Sequence, residues 1–144
     1  MIISVSRRTD IPAFYSEWFM NRIHERYCLF QNPFNANQVS HIPLSPNEVE
    51  AIIFWTKNPK PMLHHLETLE RSGHHYYFQF TLNNYPKILE PNLPPISQRI
   101  ETFIELSTYL GTGRVIWRYD PIIISNITDY QFHFNTFNEL CSAL

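Results

Sequence analysis

The chain alternates short apolar runs with stretches of helical spacing, and each run closes on a cluster of polar and charged side chains. Ile2-Ile3-Ser4-Val5 is a β-branched run that passes at once into Ser6, Arg7, Arg8, Thr9 and Asp10 and is stopped at Pro12. Clustered charge directly after a strand is how the carboxyl edge of a parallel strand looks when a site sits above it. Phe14, Trp18, Phe19 and Ile23 then recur at helical spacing, with Glu17, Arg22, Glu25 and Arg26 on the other face, which predicts a helix over residues 13–26. Residues 27–30 and 39–44 read as two extended segments joined by an Asn-rich turn, a hairpin laid across one end of a sheet. Ser45, Pro46 and Glu48 carry the cap, first-turn proline and capping-box glutamate of a short helix.

Ala51-Ile52-Ile53-Phe54-Trp55 is continuously apolar, as expected of a strand covered on both faces, and it ends in Thr56-Lys57-Asn58-Pro59. Met62, Leu63, Leu66 and Leu69 mark a helix stopped at Gly73. In the next run Tyr77, Gln79 and Thr81 share one face and Phe78 and Phe80 the other. Residues 83–95 form a proline-rich loop long enough to be a rim or lid, and Ile96, Ile100, Phe103, Ile104 and Leu110 define the following helix. Residues 114–121 make the last strand and its polar end, where Arg118 and Asp120, two apart, point to the side of Ile116. Thr128, Asp129, Tyr130 and Gln131 resemble a capping box before the apolar stripe of Phe134, Phe137, Leu140, Cys141 and Leu144.

Strand and helix thus alternate four times, with one inserted hairpin. The pattern predicts an α/β fold of parallel β/α units, a partial TIM-type barrel of half to two-thirds, with an open four-stranded α/β sandwich as the alternative. The barrel is favoured because it builds sites from the ends of several strands, whereas an open sheet concentrates its site at a switch point. Residues 1–144 then constitute a single incomplete β/α barrel domain, truncated inside its last helix.

Composition narrows the function classes. A chain of 144 residues, 44% of them apolar, builds one core. A formal charge of −2 gives no broad basic field, so neither a nucleic acid nor a membrane surface is an expected partner, and the absence of a signal sequence predicts a cytoplasmic protein. Three glycines, with no GxGxxG or GxxxxGK[ST], remove the usual dinucleotide and P-loop readings. Cys28 and Cys141 belong to no metal-ligand spacing and read as free thiols.

The four strand ends hold the candidate chemistry. Arg7, Arg8, Lys57 and Arg118 can pair with carboxylate or phosphate. Asp10 and Asp120 can accept from an amine or hydroxyl, or serve as acid and base. Asp10, Asp120 and Arg118 are the catalytic candidates; Arg7, Arg8, Thr56, Lys57, Asn58, Gln79 and Thr81 are the ligand-binding ones. Arg7 and Arg8 point opposite ways along the strand, so one of them lines the pocket. The plainer account is that Arg7 or Arg8 pairs with Asp10 or Asp120 and closes the barrel end. Trp18, Trp55 and Trp117 read as core aromatics, with Trp55 near enough to wall the site. His64-His65 and His74-His75 flank a helix-to-strand turn, the barrel face opposite the site, and adjacent histidines diverge, so no metal site is expected. His24, His41 and His133 are expected at the surface or its boundary.

SRRTDIPAFYSEWFMNRI, QNPFN, LSPNEVEAIIFWTKNPKPML, YYFQFTLNNYP and VIWRYDPIIIS together resemble the bacterial domain-of-unknown-function family 1848, over essentially the whole chain. The resemblance implies a barrel related to that of radical S-adenosylmethionine enzymes, and longer members of family 1848 carry a C-terminal cysteine cluster similar to the iron–sulfur motif of those enzymes. It implies a 4Fe–4S cluster and S-adenosylmethionine for the full-length family, neither bound by this chain alone, because Cys28 and Cys141 do not match that motif. The chain would be the N-terminal part of such an enzyme, inactive by itself. The alternative is a cluster-free module that binds a small anionic ligand or nucleotide through the Arg/Asp rim. The open edges of a partial barrel predict self-association.

Overall fold

A computed structural model of the chain describes residues 1–5 and 8–144. Arg7, and with it the choice between Arg7 and Arg8 at the first strand end, lies outside the described residues. In chain order the elements are β1 (Ile2–Val5), α1 (Ile11–Phe14), α2 (Ser16–Glu25), β2 (Tyr27–Asn32), β3 (Asn35–Pro43), β4 (Ala51–Thr56), a 3-10 turn (Lys60–His65) running into α3 (Leu66–Arg71), β5 (Tyr76–Thr81), α4 (Ile96–Leu110), β6 (Val115–Arg118) and α5 (Tyr130–Ala143). Strands β1, β4, β5 and β6 pair in that order, all parallel, and β2 and β3 form a separate antiparallel hairpin.

The parallel register fixes which side chains share a face. Phe54 lies beside Phe78 and Trp55 beside Gln79, and Thr81 lies beside Arg118. Val5, Ile52, Phe54, Phe78, Phe80 and Val115 enter one core with Phe19 and Ile23 of α2, Leu66 and Leu69 of α3, Phe103 and Leu106 of α4 and Leu140 of α5. Phe54 is its centre, stacked on Phe78 at 4.8 Å and met edge-on by Phe19 at 5.3 Å.

The alternate residues, Ile2, Ile53, Trp55, Tyr77, Gln79, Thr81, Ile116 and Arg118, are outside that core, and Ile2 and Ile116 are 61% and 46% exposed. The expectation that β4 is covered on both faces is therefore corrected: helices cover one. The reason is topological. Each crossover steps the same way along the sheet, and right-handed connections then place every helix on the same side.

Several local expectations also change. The helix expected over 13–26 is two helices, broken at Tyr15 (φ −136°, ψ 28°) and closed at Arg26 in the left-handed region (φ 63°). The Asn-rich turn is mostly strand: Asn32 pairs with Asn35, and the Asn32 side chain accepts from the Phe34 amide at 2.9 Å to tighten the reversal. The capping signals at Ser45 make one turn only, with Glu48 and Val49 amides donating to the Ser45 carbonyl. The Glu50 amide already donates to the Met1 carbonyl, so pairing with the β1 end of the chain stops helix growth there. Asp129, not Thr128, caps α5 by accepting from the Phe132 amide at 2.8 Å. Thr128 is fully buried and donates to the Ile123 carbonyl.

Candidate functional site

Strand alternation divides the sequence-predicted rim in two. Thr56 follows Ile52 and Phe54 onto the helix-covered face and is buried there. It donates to Asp10 at 2.7 Å, and the second carboxylate oxygen of Asp10 accepts from the Lys57 amide at 2.8 Å. Asp10 also caps α1, accepting from the Ala13 amide at 3.0 Å. Burial pushes the Asp10 carboxyl above its ordinary value, and these donors pull it back. Thr56 in turn accepts from the Asn58 amide, and the Asn58 side chain accepts from the Lys60 amide. Asp10 and Thr56 thus latch the start of α1 to the end of β4, and Asn58 closes the turn behind Thr56.

On the open face a different cluster forms. The Arg118 guanidinium lies 4.1 Å from the Trp55 ring centroid, donates to the Gln79 side chain at 3.1 Å and pairs with Asp120. Thr81 donates to the other Asp120 oxygen at 3.3 Å. Four sequence-predicted residues, Gln79, Thr81, Arg118 and Asp120, are therefore brought together, with Trp55 as the wall the sequence suggested. Both register and the two-residue spacing of Arg118 and Asp120 cause this.

Lys57 serves a third group. It pairs with Glu90 from the proline-rich loop, contacts Asn83 at 3.5 Å and lies 6.0 Å from the Tyr85 ring centroid. Asn83, almost wholly buried, donates to the Asp120 carbonyl at 3.0 Å, so it joins this group to the Arg118 cluster. Its own carbonyl accepts from the buried Arg99 at 2.8 Å. Burial pulls the Arg99 guanidinium down from its usual value, opposed by Glu90. One oxygen of Glu90 and one nitrogen of Arg99 have no hydrogen-bond partner among the described residues, and both residues line a cavity of about 70 Å³. Sequence reasoning missed Asn83, Glu90 and Arg99. Asn83 follows β5 almost directly, a strand-end position like those of the other rim residues; Glu90 gave no signal beyond a long loop, and Arg99 none beyond a polar position in the helix that follows it.

Arg8 stands apart. Its guanidinium lies 5.3 Å from the ring centroid of Phe30 on the hairpin, in a groove of about 670 Å³ also lined by Ile3, Trp18, Phe34 and Leu44.

The histidines separate as well. His74 is buried between the Ser72 hydroxyl and the Leu44 carbonyl, at 2.7 Å from each. His133, expected at the surface or its boundary, is buried, bonded to the Tyr119 hydroxyl at 2.9 Å and the Ile123 carbonyl at 2.9 Å, because α5 packs it against the segment after β6. His64 and His65 do not diverge: their rings lie 3.8 Å apart and both Nε2 atoms face one oxygen of Glu17.

Cys28 is half-buried on the hairpin and Cys141 is exposed on α5. A cysteine-held iron–sulfur cluster takes three or four thiolates converging on one point. Two thiols on these elements, neither at the strand ends, do not fit one.

Residues 2–144 match a family model described as a domain of unknown function, DUF1848. Neither the curated proteins nor the solved structures give a significant match to the chain. Among the described residues no helix is long and apolar enough to cross a membrane.

Proposed function

The chain belongs to the DUF1848 family, and from that premise we propose that the open face of its sheet binds a small anionic ligand or a nucleotide at the Trp55–Arg118–Asp120 cluster. The observation that carries this reading is the guanidinium of Arg118 held over Trp55 by Gln79 and Asp120 at the carboxyl ends of parallel strands. Ligands of open α/β sheets and of β/α barrels bind at that end. A guanidinium has five donors in a planar fork, and here one goes to Gln79 and one to Asp120, which leaves donors for a carboxylate or phosphate. Asp120 and Thr81 offer acceptors to an amine or hydroxyl of the same ligand. Contact with Trp55 fixes the fork before the ligand arrives, which lowers the ordering cost of binding.

One-sided winding of the sheet also supports the barrel reading, in which this open face would be the inner wall. A cluster-dependent reaction draws no support from the thiols of this chain; its ligands would have to come from outside residues 1–144.

Thermal denaturation of the purified chain against inorganic phosphate, AMP and S-adenosylmethionine tests the proposal. Saturation at about a hundred times the dissociation constant stabilises a protein by about 2.7 kcal/mol, a readable shift in midpoint. At least one probe should raise the midpoint in the parent and not in Arg118→Ala. Flat curves across the panel overturn it.

A further inference from the structure

We propose that Glu17, His64 and His65 form a three-ligand site for a divalent transition metal, with zinc as the probe, on the helix-covered side of the sheet. Glu17 lies in the first turn of α2, and the two histidines close the 3-10 turn after β4. Nothing in the local sequence brings them together. The contact spans 47 residues and arises because α2 packs against the segment that leaves β4.

The geometry calls for a cause. Successive side chains on a 3-10 turn project about 120° apart, since three residues complete a turn. Here instead the rings of His64 and His65 lie 3.8 Å apart, with His64 Nε2 at 3.2 Å and His65 Nε2 at 3.0 Å from the same Glu17 oxygen. Hydrogen bonding accounts for half of this. His64 makes a bond of acceptable geometry, but His65 Nε2, although close enough, is buried without a hydrogen-bond partner among the described residues.

A metal ion accounts for both nitrogens. The three ligand atoms lie within 4.8 Å of one another. Zinc bonds imidazole nitrogen and carboxylate oxygen at about 2.0–2.2 Å, which in a tetrahedron separates the ligands by about 3.3 Å. The two nitrogen–oxygen spacings, 3.2 and 3.0 Å, need to open by only tenths of an ångström. Two neutral imidazoles and one carboxylate suit zinc, copper or nickel better than magnesium or calcium, which prefer oxygen. Glu17 and His64 are largely exposed, so water can take the fourth position, while His65 anchors the site from the buried side. The ion would staple the first crossover of the sheet to the second. The site lies on the opposite face from the Arg118 cluster and is independent of it.

The test uses the whole chain, stripped with a chelator and returned to chelator-free buffer. Titration with zinc chloride in competition with a chromophoric chelator should show one tight equivalent, and the thermal midpoint should rise with it. Glu17→Gln and His64→Ala alter exposed side chains and should leave the midpoint of the metal-free protein unchanged while weakening zinc binding by more than about tenfold, since losing a ligand costs at least as much as losing a group that hydrogen-bonds to one. Cobalt in place of zinc should give the visible absorption of a tetrahedral site in the parent, lost in His65→Ala. If His65→Ala fails to fold, imidazole NMR resonances of the parent shifted by zinc at His64 and His65 serve instead. Absence of any tight equivalent, or zinc binding undiminished in Glu17→Gln and His64→Ala, overturns the proposal.

Discussion

On the helix-covered face of the sheet Ile52, Phe54, Phe78 and Phe80 are fully buried, whereas on the open face Trp55 of β4 and Ile116 of β6 are 38% and 46% exposed. Both faces are apolar near the amino ends of the strands. They part company at the carboxyl ends, where the covered face is closed by the Asp10–Thr56 latch and the open face carries Trp55, Gln79, Arg118 and Asp120. Polar groups at a strand end are therefore not one class. Those that alternate toward the helices have their hydrogen bonds met by backbone and by each other. Those that alternate away hold an arginine in a shape that a ligand can use.

The most severe way to break the comparison is to cut the covered face. Phe78→Ala removes a ring stacked on Phe54 and edge-on to Tyr76, and should cost about 3–5 kcal/mol, the usual range for a buried aromatic truncated to alanine. Urea denaturation reads it. Trp55→Ala, one strand over on the open face, should lose far less. Equal losses at the two positions would mean that the open face is as well packed as the covered one.

Next in size is the latch. Asp10→Ala removes the α1 cap and the acceptor shared by Thr56 and the Lys57 amide, and should cost about 1–2 kcal/mol, the upper range for a helix cap. Its pH dependence has a definite sign. Burial holds the folded carboxyl above its ordinary value, so the folded chain takes up that proton more readily than the unfolded one. The contribution is fully present below the ordinary value of about 4 and is lost as the pH rises through the folded value. The stability difference between parent and Asp10→Ala should accordingly shrink as the pH climbs from about 4 toward neutrality. A difference that grows over that interval would show that the three donors outweigh burial.

How much of this could be read from the chain alone differs by element. Strand β5 announced its two faces because Tyr77, Gln79 and Thr81 alternate with Phe78 and Phe80. Strand β4 did not, since Ile53 and Trp55 on the open side are as apolar as Ile52 and Phe54 on the covered one. The Arg118–Asp120 pair was legible from a spacing of two. The role of Asp10 was not, because its partners Thr56 and Lys57 are 46 and 47 residues away and become neighbours only when β1 pairs with β4. Glu17 and His64, 47 residues apart, were hidden for the same reason. Short-range periodicity reports local geometry; contacts closed by a crossover leave no trace in it.

The smallest stability effect and the most discriminating one belong to Arg118. Its ion pair with Asp120 is partly open to solvent, and such pairs contribute between nothing and about 1 kcal/mol. Contact with the Trp55 ring adds about 0.5–1 kcal/mol at an exposed site. Arg118→Ala should therefore shift the urea midpoint only slightly while abolishing the response to whichever of phosphate, AMP or S-adenosylmethionine stabilises the parent. Arg118→Lys keeps the charge but loses the planar fork, so it should recover little of that response if bidentate pairing is what the open face offers. Full recovery by lysine would reduce the site to a point charge. A loss of stability comparable to Phe78→Ala would instead make Arg118 part of the core, and the distinction between the two faces of the sheet would fall with it.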